Sequence, residues 1–218
     1  MAKRFELLVF DWDGTLLDSA GAIVGAIKAA CRDLDLPEPS DERALHVIGL
    51  GLGEALRHAV PDLPERRYPQ MVDRYRYHYL SKDNELCLFD GAVELIVELD
   101  QAGFLLAVAT GKSRLGLDRA LNASGLGVYF QSSRCADECF SKPHPQMLEE
   151  LMAEFAVLPE RTLMIGDTTH DLLMARNAGV ASLAVGYGAH PGEALDALGP
   201  LARLNRVDDL AAWLRTHA

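Results

Sequence analysis

The sequence predicts a doubly wound α/β fold with a parallel sheet, interrupted early by a helical insert. Three observations carry this. Four short apolar runs each end in a turn that holds polar groups. Amphipathic helical patterns alternate with those runs from residue 104 onward. The stretch 19–89 breaks the alternation and shows helical patterns alone.

The first run is Leu7–Phe10, followed by Asp11-Trp12-Asp13-Gly14. The second, 104–109, runs into Thr110-Gly111-Lys112. The third, 162–165, precedes Gly166-Asp167-Thr168, and the fourth, Ala181–Val185, precedes Gly186-Tyr187-Gly188. Runs this short and this apolar suit strands buried on both faces of a parallel sheet. Between them, 91–102 carries Val93, Ile96, Val97 and Leu99 on one stripe and stops at Gly103, a residue suited to end a helix. The segment 145–155 spaces Leu148, Leu151, Met152 and Phe155 helically, with Pro145 fit for a first turn. A third helix spans 171–178 and stops at Gly179. Within the insert, 22–34 and 66–80 read as helices, the latter with a Tyr68-Tyr75-Tyr79 stripe expected to pack inward. The expected division is a core of 1–18 and 86–218 and a helical unit of 19–85.

Charge and composition narrow the function. The formal net charge is -11, so an acidic surface would repel a phosphate backbone, and nucleic acid is not an expected partner. An anionic substrate would then need local positive charge from a metal or a few placed bases. The start reads as a strand and not as a signal core, and no run approaches a membrane span. The expectation is a cytoplasmic protein, monomeric or homodimeric. Cys31, Cys87, Cys135 and Cys139 lack the paired spacing of a zinc site and read as free thiols.

In an open α/β sheet, ligands bind outside the carboxyl ends of the strands. The turns gathered there carry Asp11 and Asp13, Thr110 and Lys112, and Asp167 and Asp171; Lys142 precedes the 145–155 helix. Oxygen ligands without His or Cys favour a hard cation such as Mg²⁺, and the lysines and hydroxyl suit an anion beside it. Taken singly, each residue reads equally well as a turn, a cap or a surface charge. The ordered set is what points to a site.

That set resembles the haloacid dehalogenase superfamily. Asp11-Trp12-Asp13-Gly14-Thr15-Leu16-Leu17-Asp18-Ser19 is similar to its first motif, Thr110 to its second, Lys142 to its third, and Gly166-Asp167-Thr168-Thr169-His170-Asp171 to its fourth. The insert falls where that superfamily carries a helical cap over a Rossmann-like core. The resemblance implies a Mg²⁺-dependent phosphatase acting on a small phosphomonoester through an aspartyl-phosphate, with phosphoglycolate as one such ester. It implies Asp11 as nucleophile and Asp13 as general acid-base. Asp11, the Asp13 carbonyl, Asp167 and Asp171 would surround the metal. Thr110 and the amides of Trp12, Asp13 and Gly111 would grip phosphate, with Lys142 neutralising its charge. Two departures stand out: Gly111 replaces an Asn common in relatives, and Trp12 replaces a smaller apolar residue. A phosphomutase and a non-catalytic binding module are the alternatives; Thr15 fits phosphatases better than mutases. A dehalogenase is disfavoured by Asp13.

Overall fold

A computed structural model describes residues 3–82 and 85–218. Met1 and Ala2 at the start, and Asp83 and Asn84 within the 19–85 insert, lie outside the described residues.

Six parallel strands form one sheet in the order β3-β2-β1-β4-β5-β6. They are β1 (Leu7–Phe10), β2 (Leu105–Thr110), β3 (Ser132–Cys135), β4 (Thr162–Gly166), β5 (Ala181–Val185) and β6 (Arg203–Leu204). Central β1 pairs with β2 on one side and β4 on the other, Phe10 lying level with Val108 and Ile165. The chain therefore reverses its direction of winding at β1, which opens a crevice at the carboxyl ends of β1, β2 and β4. Sequence periodicity captured four of the strands. It missed β3, whose Ser-Ser-Arg-Cys run is polar and only half-buried, and the two-residue β6 at the edge.

Both faces of the sheet are buried. Leu8 and Phe10 of β1 point to one side, where they join Leu106, Leu163, Ile96 and Leu210. Leu7 and Val9 point to the other, against Ala107, Leu148, Leu151 and Met174. The covering helices are α5 (Ala92–Gln101) and α10 (Val207–His217) on the first face, and α7 (Gln146–Phe155) and α8 (Thr169–Asn177) on the second. Two further helices, α6 (Arg114–Ser124) and α9 (Gly192–Asp196), complete the layers.

Between β1 and α5 the chain forms α1 (Ala20–Asp33), α2 (Asp41–His46), α3 (Leu52–Ala59) and α4 (Tyr68–Leu80). No strand interrupts them among the described residues. They bury a cluster of their own, with Ile27, Cys31, Ala44, Leu56 and Met71 at its centre. Residues on β1 and α1 thus belong to separate cores, joined through the first-motif turn, where Leu17 bridges to Leu88. No helix of the described residues is long and apolar enough to cross a membrane.

Candidate active site

The turn after β1 fixes the two aspartates. Leu16 and Leu17 donate their amides to the Trp12 carbonyl, and Gly14 donates to Leu17, so the chain doubles back at once. Gly14 has φ 80°, a conformation other residues resist, and a Cβ there would lie 2.2 Å from Asp167 Oδ2. Glycine at this position lets the β1 and β4 turns meet. Trp12 is buried, its ring edge-on to Phe130, so its side chain anchors the turn in the core while its backbone remains at the site.

Asp11, Asp167 and Asp171 are fully buried, and one carboxylate oxygen from each lies within 4.8 Å of the others. Lys142, also fully buried, sits among them, with Nζ 2.8 Å from Asp11 Oδ1 and 2.6 Å from Asp171 Oδ1. Asp167 accepts from the Thr15 hydroxyl (2.8 Å) and from the Ala189 amide (2.8 Å). Asp171 also caps its own helix: Thr168 donates its amide and hydroxyl to Oδ2, and Thr168 Oγ1 accepts from the Asp171 amide. Asp11 differs from both. Neither of its oxygens accepts a well-directed hydrogen bond, although both are buried.

Three buried carboxylates face one ammonium, and electrostatics records the imbalance. Burial, followed by repulsion from Asp171 and Asp167, drives the Asp11 carboxyl well above its usual range; Lys142 opposes this. Burial and Asp171 push Asp167 up to about 7, against the Thr15 and Ala189 bonds. The surplus negative charge, the free Asp11 Oδ2 and the all-oxygen donor set fit a divalent cation held by Asp11 and Asp167. Glycines at 166 and 188 keep the ring of acids compact, since a Cβ at either would lie within 2.5 Å of Asp171 or Asp167 atoms.

Asp13 faces the other way, toward the helical insert. Its Oδ1 accepts from the Ser19 hydroxyl (2.6 Å) and lies 3.0 Å from Lys112 Nζ, which also donates to Tyr79 Oη (2.9 Å). Thr110 ends β2, and its Oγ1 accepts from the Lys112 amide. Asp11, Lys142, Asp167 and Asp171 thus meet in one cluster, while Asp13 and Lys112 pair on its insert side and Thr110 ends β2. Sequence reasoning weighed Thr15 only as a mark of phosphatases over mutases and gave Ser19 no role, although both hydroxyls tether site aspartates. It also expected Tyr75 and Tyr79 to be interior packing of the insert. Tyr79 is indeed buried in the insert's cluster with Tyr75 packed against it, and both also line the cavity facing Asp13, which helical spacing alone does not reveal.

The departure at Gly111 has a steric cause. A Cβ at this position would lie 2.5 Å from the Leu50 carbonyl and 2.6 Å from that of Gly49. The glycine-rich loop of the insert, Gly49-Leu50-Gly51-Leu52-Gly53, is seated directly on the β2 turn. Gly51 donates to Ser141 Oγ at 2.9 Å. Nearby, the His46 carbonyl accepts from His170 Nε2 (2.8 Å) and lies 3.2 Å from His190 Nε2. His190 Nδ1 accepts from the Thr169 amide, which leaves Nε2 as the protonated nitrogen. The three imidazoles lie close enough to share an ion, with centroids 5.1–5.3 Å apart. The bonds from the His170 and His190 rings to the His46 backbone carbonyl, however, make a latch between insert and core. His170 and His190 belong to the core side, and burial lowers the pKa of both.

A parallel α/β sheet with buried acids at its reversal point, a lysine among them and a helical insert above defines a hydrolase of the phosphatase class. The chain belongs to the haloacid dehalogenase-like hydrolases, whose family model matches residues 8–185. It is 39% identical over 202 residues to "Probable phosphatase IndB" of Dickeya dadantii, covering 89% of this chain and 86% of that one. It is 33% identical over 207 residues to a phosphoglycolate phosphatase of Vibrio parahaemolyticus, covering 91% of each. The fold matches the crystal structure of a predicted phosphoglycolate phosphatase from Haemophilus somnus with a TM-score of 0.86 at 25% identity, over 97% of this chain and 99% of that one.

Proposed function

We propose that this phosphatase hydrolyses a phosphomonoester with Mg²⁺ through a phosphoryl group carried transiently on Asp11. The observation that supports this reading most strongly is the Asp11 carboxylate, buried at the end of β1 with Lys142 2.8 Å from Oδ1 and no partner on Oδ2. A nucleophile must keep a lone pair free, and its neighbours Asp167 and Asp171 are both tied down.

Bound between Asp11, the Asp13 carbonyl and Asp167, with Asp171 beside them, Mg²⁺ would neutralise the charge that otherwise keeps two anions apart. Asp11 attacks phosphorus, forming a P–O bond as the bond to the leaving oxygen breaks. Asp13 gives its proton to that oxygen, then takes one from the water that cleaves the aspartyl-phosphate. Ser19 and Lys112 both hold Asp13 at Oδ1, which leaves Oδ2 for the proton. Thr110 already accepts through Oγ1, so its hydroxyl proton is available to a phosphate oxygen, alongside the amides of Trp12, Asp13 and Gly111. Lys142 neutralises charge on the transferring group while it orients Asp11. Residues 19–85 act as a cap domain over the 1–18 and 86–218 core, and the enzyme works in the cytoplasm.

Phosphate release from a panel of monoesters, phosphoglycolate included, with Mg²⁺ and with EDTA tests this reading. Mg²⁺-dependent release supports it. Absence of release from every ester, or transfer of phosphate to a second sugar position, contradicts it.

A further inference from the structure

A cavity of about 760 Å³ lies between the helical insert and the strand ends. Asp13, Gly111 and Lys112 line it from the core, whereas Asp11, Thr110 and Lys142 do not. The phosphoryl seat beside Asp11 therefore borders this volume at Asp13 and Gly111, and Asp13, the proton donor of the proposed reaction, stands at its edge. The space belongs to the leaving group.

Its size and chemistry are informative. Pockets of roughly 300–1,000 Å³ enclose molecules far larger than a two-carbon acid. On the insert side Ile23 and Ile27 of α1, Ile48, and Val72 of α4 supply an apolar stretch of wall. Tyr75 and Tyr79 add a stacked aromatic pair, with centroids 5.8 Å apart and planes inclined by 18°. A carboxylate next to the ester oxygen would need a cation close to Asp13. Lys112 is the cation there, and it is already held between Asp13 Oδ1 and Tyr79 Oη. Arg76, Arg119, Glu54 and Asp137 also line the cavity, two charges of each sign.

We infer that the enzyme's preferred substrate is the phosphate ester of a bulky, largely apolar alcohol of ring size or more, whose carbon skeleton fills the cavity between Asp13 and the Tyr75–Tyr79 pair. The inference rests on the phosphatase reading above. Hydrolysis remains balanced in the same way: water supplies the oxygen that ends on phosphate, and the alcohol leaves with the proton from Asp13. Apolar burial in the cavity adds to transition-state binding wherever the leaving group is large enough to reach the insert.

The test compares 3-phenylpropyl phosphate with ethyl phosphate and phosphoglycolate. The alcohol of the first ester has ordinary alkanol acidity, so intrinsic reactivity does not favour it over ethyl phosphate. The expected kcat/KM for the arylalkyl ester exceeds that for either small ester by about tenfold or more. Val72→Trp, which fills the cavity, is expected to reduce the ratio of arylalkyl to ethyl kcat/KM at least tenfold; Ile23→Trp serves if the first variant does not fold. Phosphoglycolate turned over as well as or better than the arylalkyl ester overturns the inference and leaves the phosphatase reading intact. A ratio unmoved by the filling variant also overturns it. Release from none of these esters, nor from acetyl phosphate, overturns both.

Discussion

Lys142 Nζ lies 2.6 Å from Asp171 Oδ1, and both side chains are fully buried. This pair, extended to Asp11, sits where the turns after β1 and β4 meet the loop that enters α7. A buried lysine with two carboxylate partners holds those elements together, in addition to the role proposed for it at the phosphoryl group.

Lys142→Met therefore carries a structural penalty besides a catalytic one. It leaves three acids without a counter-charge, and breaking such a pair typically costs about 3–5 kcal/mol. Denaturant unfolding in EDTA is expected to show a loss of this order. Added Mg²⁺ should restore part of it.

Asp11→Asn has the opposite sign. An acid whose folded pKa is raised destabilises the folded state once pH exceeds its unfolded value, because ionisation is disfavoured only after folding. At pH 7 without a cation, the neutral amide removes that cost. The variant is expected to melt above wild type in EDTA while phosphate release falls by about 10³-fold or more. Equal or lower melting would show that Asp11 is not an uncompensated charge.

Cation binding should appear as stability before it appears as rate. A ligand that binds only the folded state adds about 2.7 kcal/mol at a hundred times its Kd. Wild type is expected to melt higher as Mg²⁺ is added. Asp167→Asn, which also removes a group pushed up to about 7, should raise the cation-free melting point and flatten the Mg²⁺ response.

Gly111 is where the insert's loop meets the β2 turn. Gly111→Asn introduces a Cβ 2.5 Å from the Leu50 carbonyl, so the loop must lift. Activity is expected to fall at least about tenfold, since displacements of about 1 Å at such sites cost that much or more. Faster proteolysis within 47–53 would accompany it. An unchanged rate would mean that the loop moves freely.

The histidine latch gives a pH dependence. Burial lowers His190 from 6.5 to about 4, so the neutral form is favoured on folding. Its contribution is complete above pH 6.5 and is lost as pH falls toward 4, on the order of 3 kcal/mol at most. Unfolding of wild type and His190→Gln across this range is expected to converge at low pH. Parallel curves would contradict the latch.

Much of this was legible in the sequence because the chemistry is local. Asp11, Asp13 and Gly14 stand in one turn, and the apolar runs before Asp11, Thr110 and Asp167 are central strands buried on both faces. The strand β3 was not legible, since its polar residues serve Arg114 and Glu154 across the edge of the sheet. Nor was the proximity of His46 to His190, which lie 144 residues apart, or the meeting of Gly49 with Gly111. Periodicity assigns a residue to a face of its own helix and says nothing of what another segment lays against that face. Gly111 shows this well: it is a missing side chain in the motif and a seat for the loop in the fold.

The central claim is that Asp11 takes the phosphoryl group. Acid quench during Mg²⁺-dependent turnover, followed by mass spectrometry of the peptides, tests it most directly. A hydroxylamine-labile phosphoryl group on the Asp11 peptide of wild type, absent in Asp11→Asn, is the predicted result. A phosphoryl group on any other residue, or steady turnover by Asp11→Asn at the wild-type rate, would contradict it.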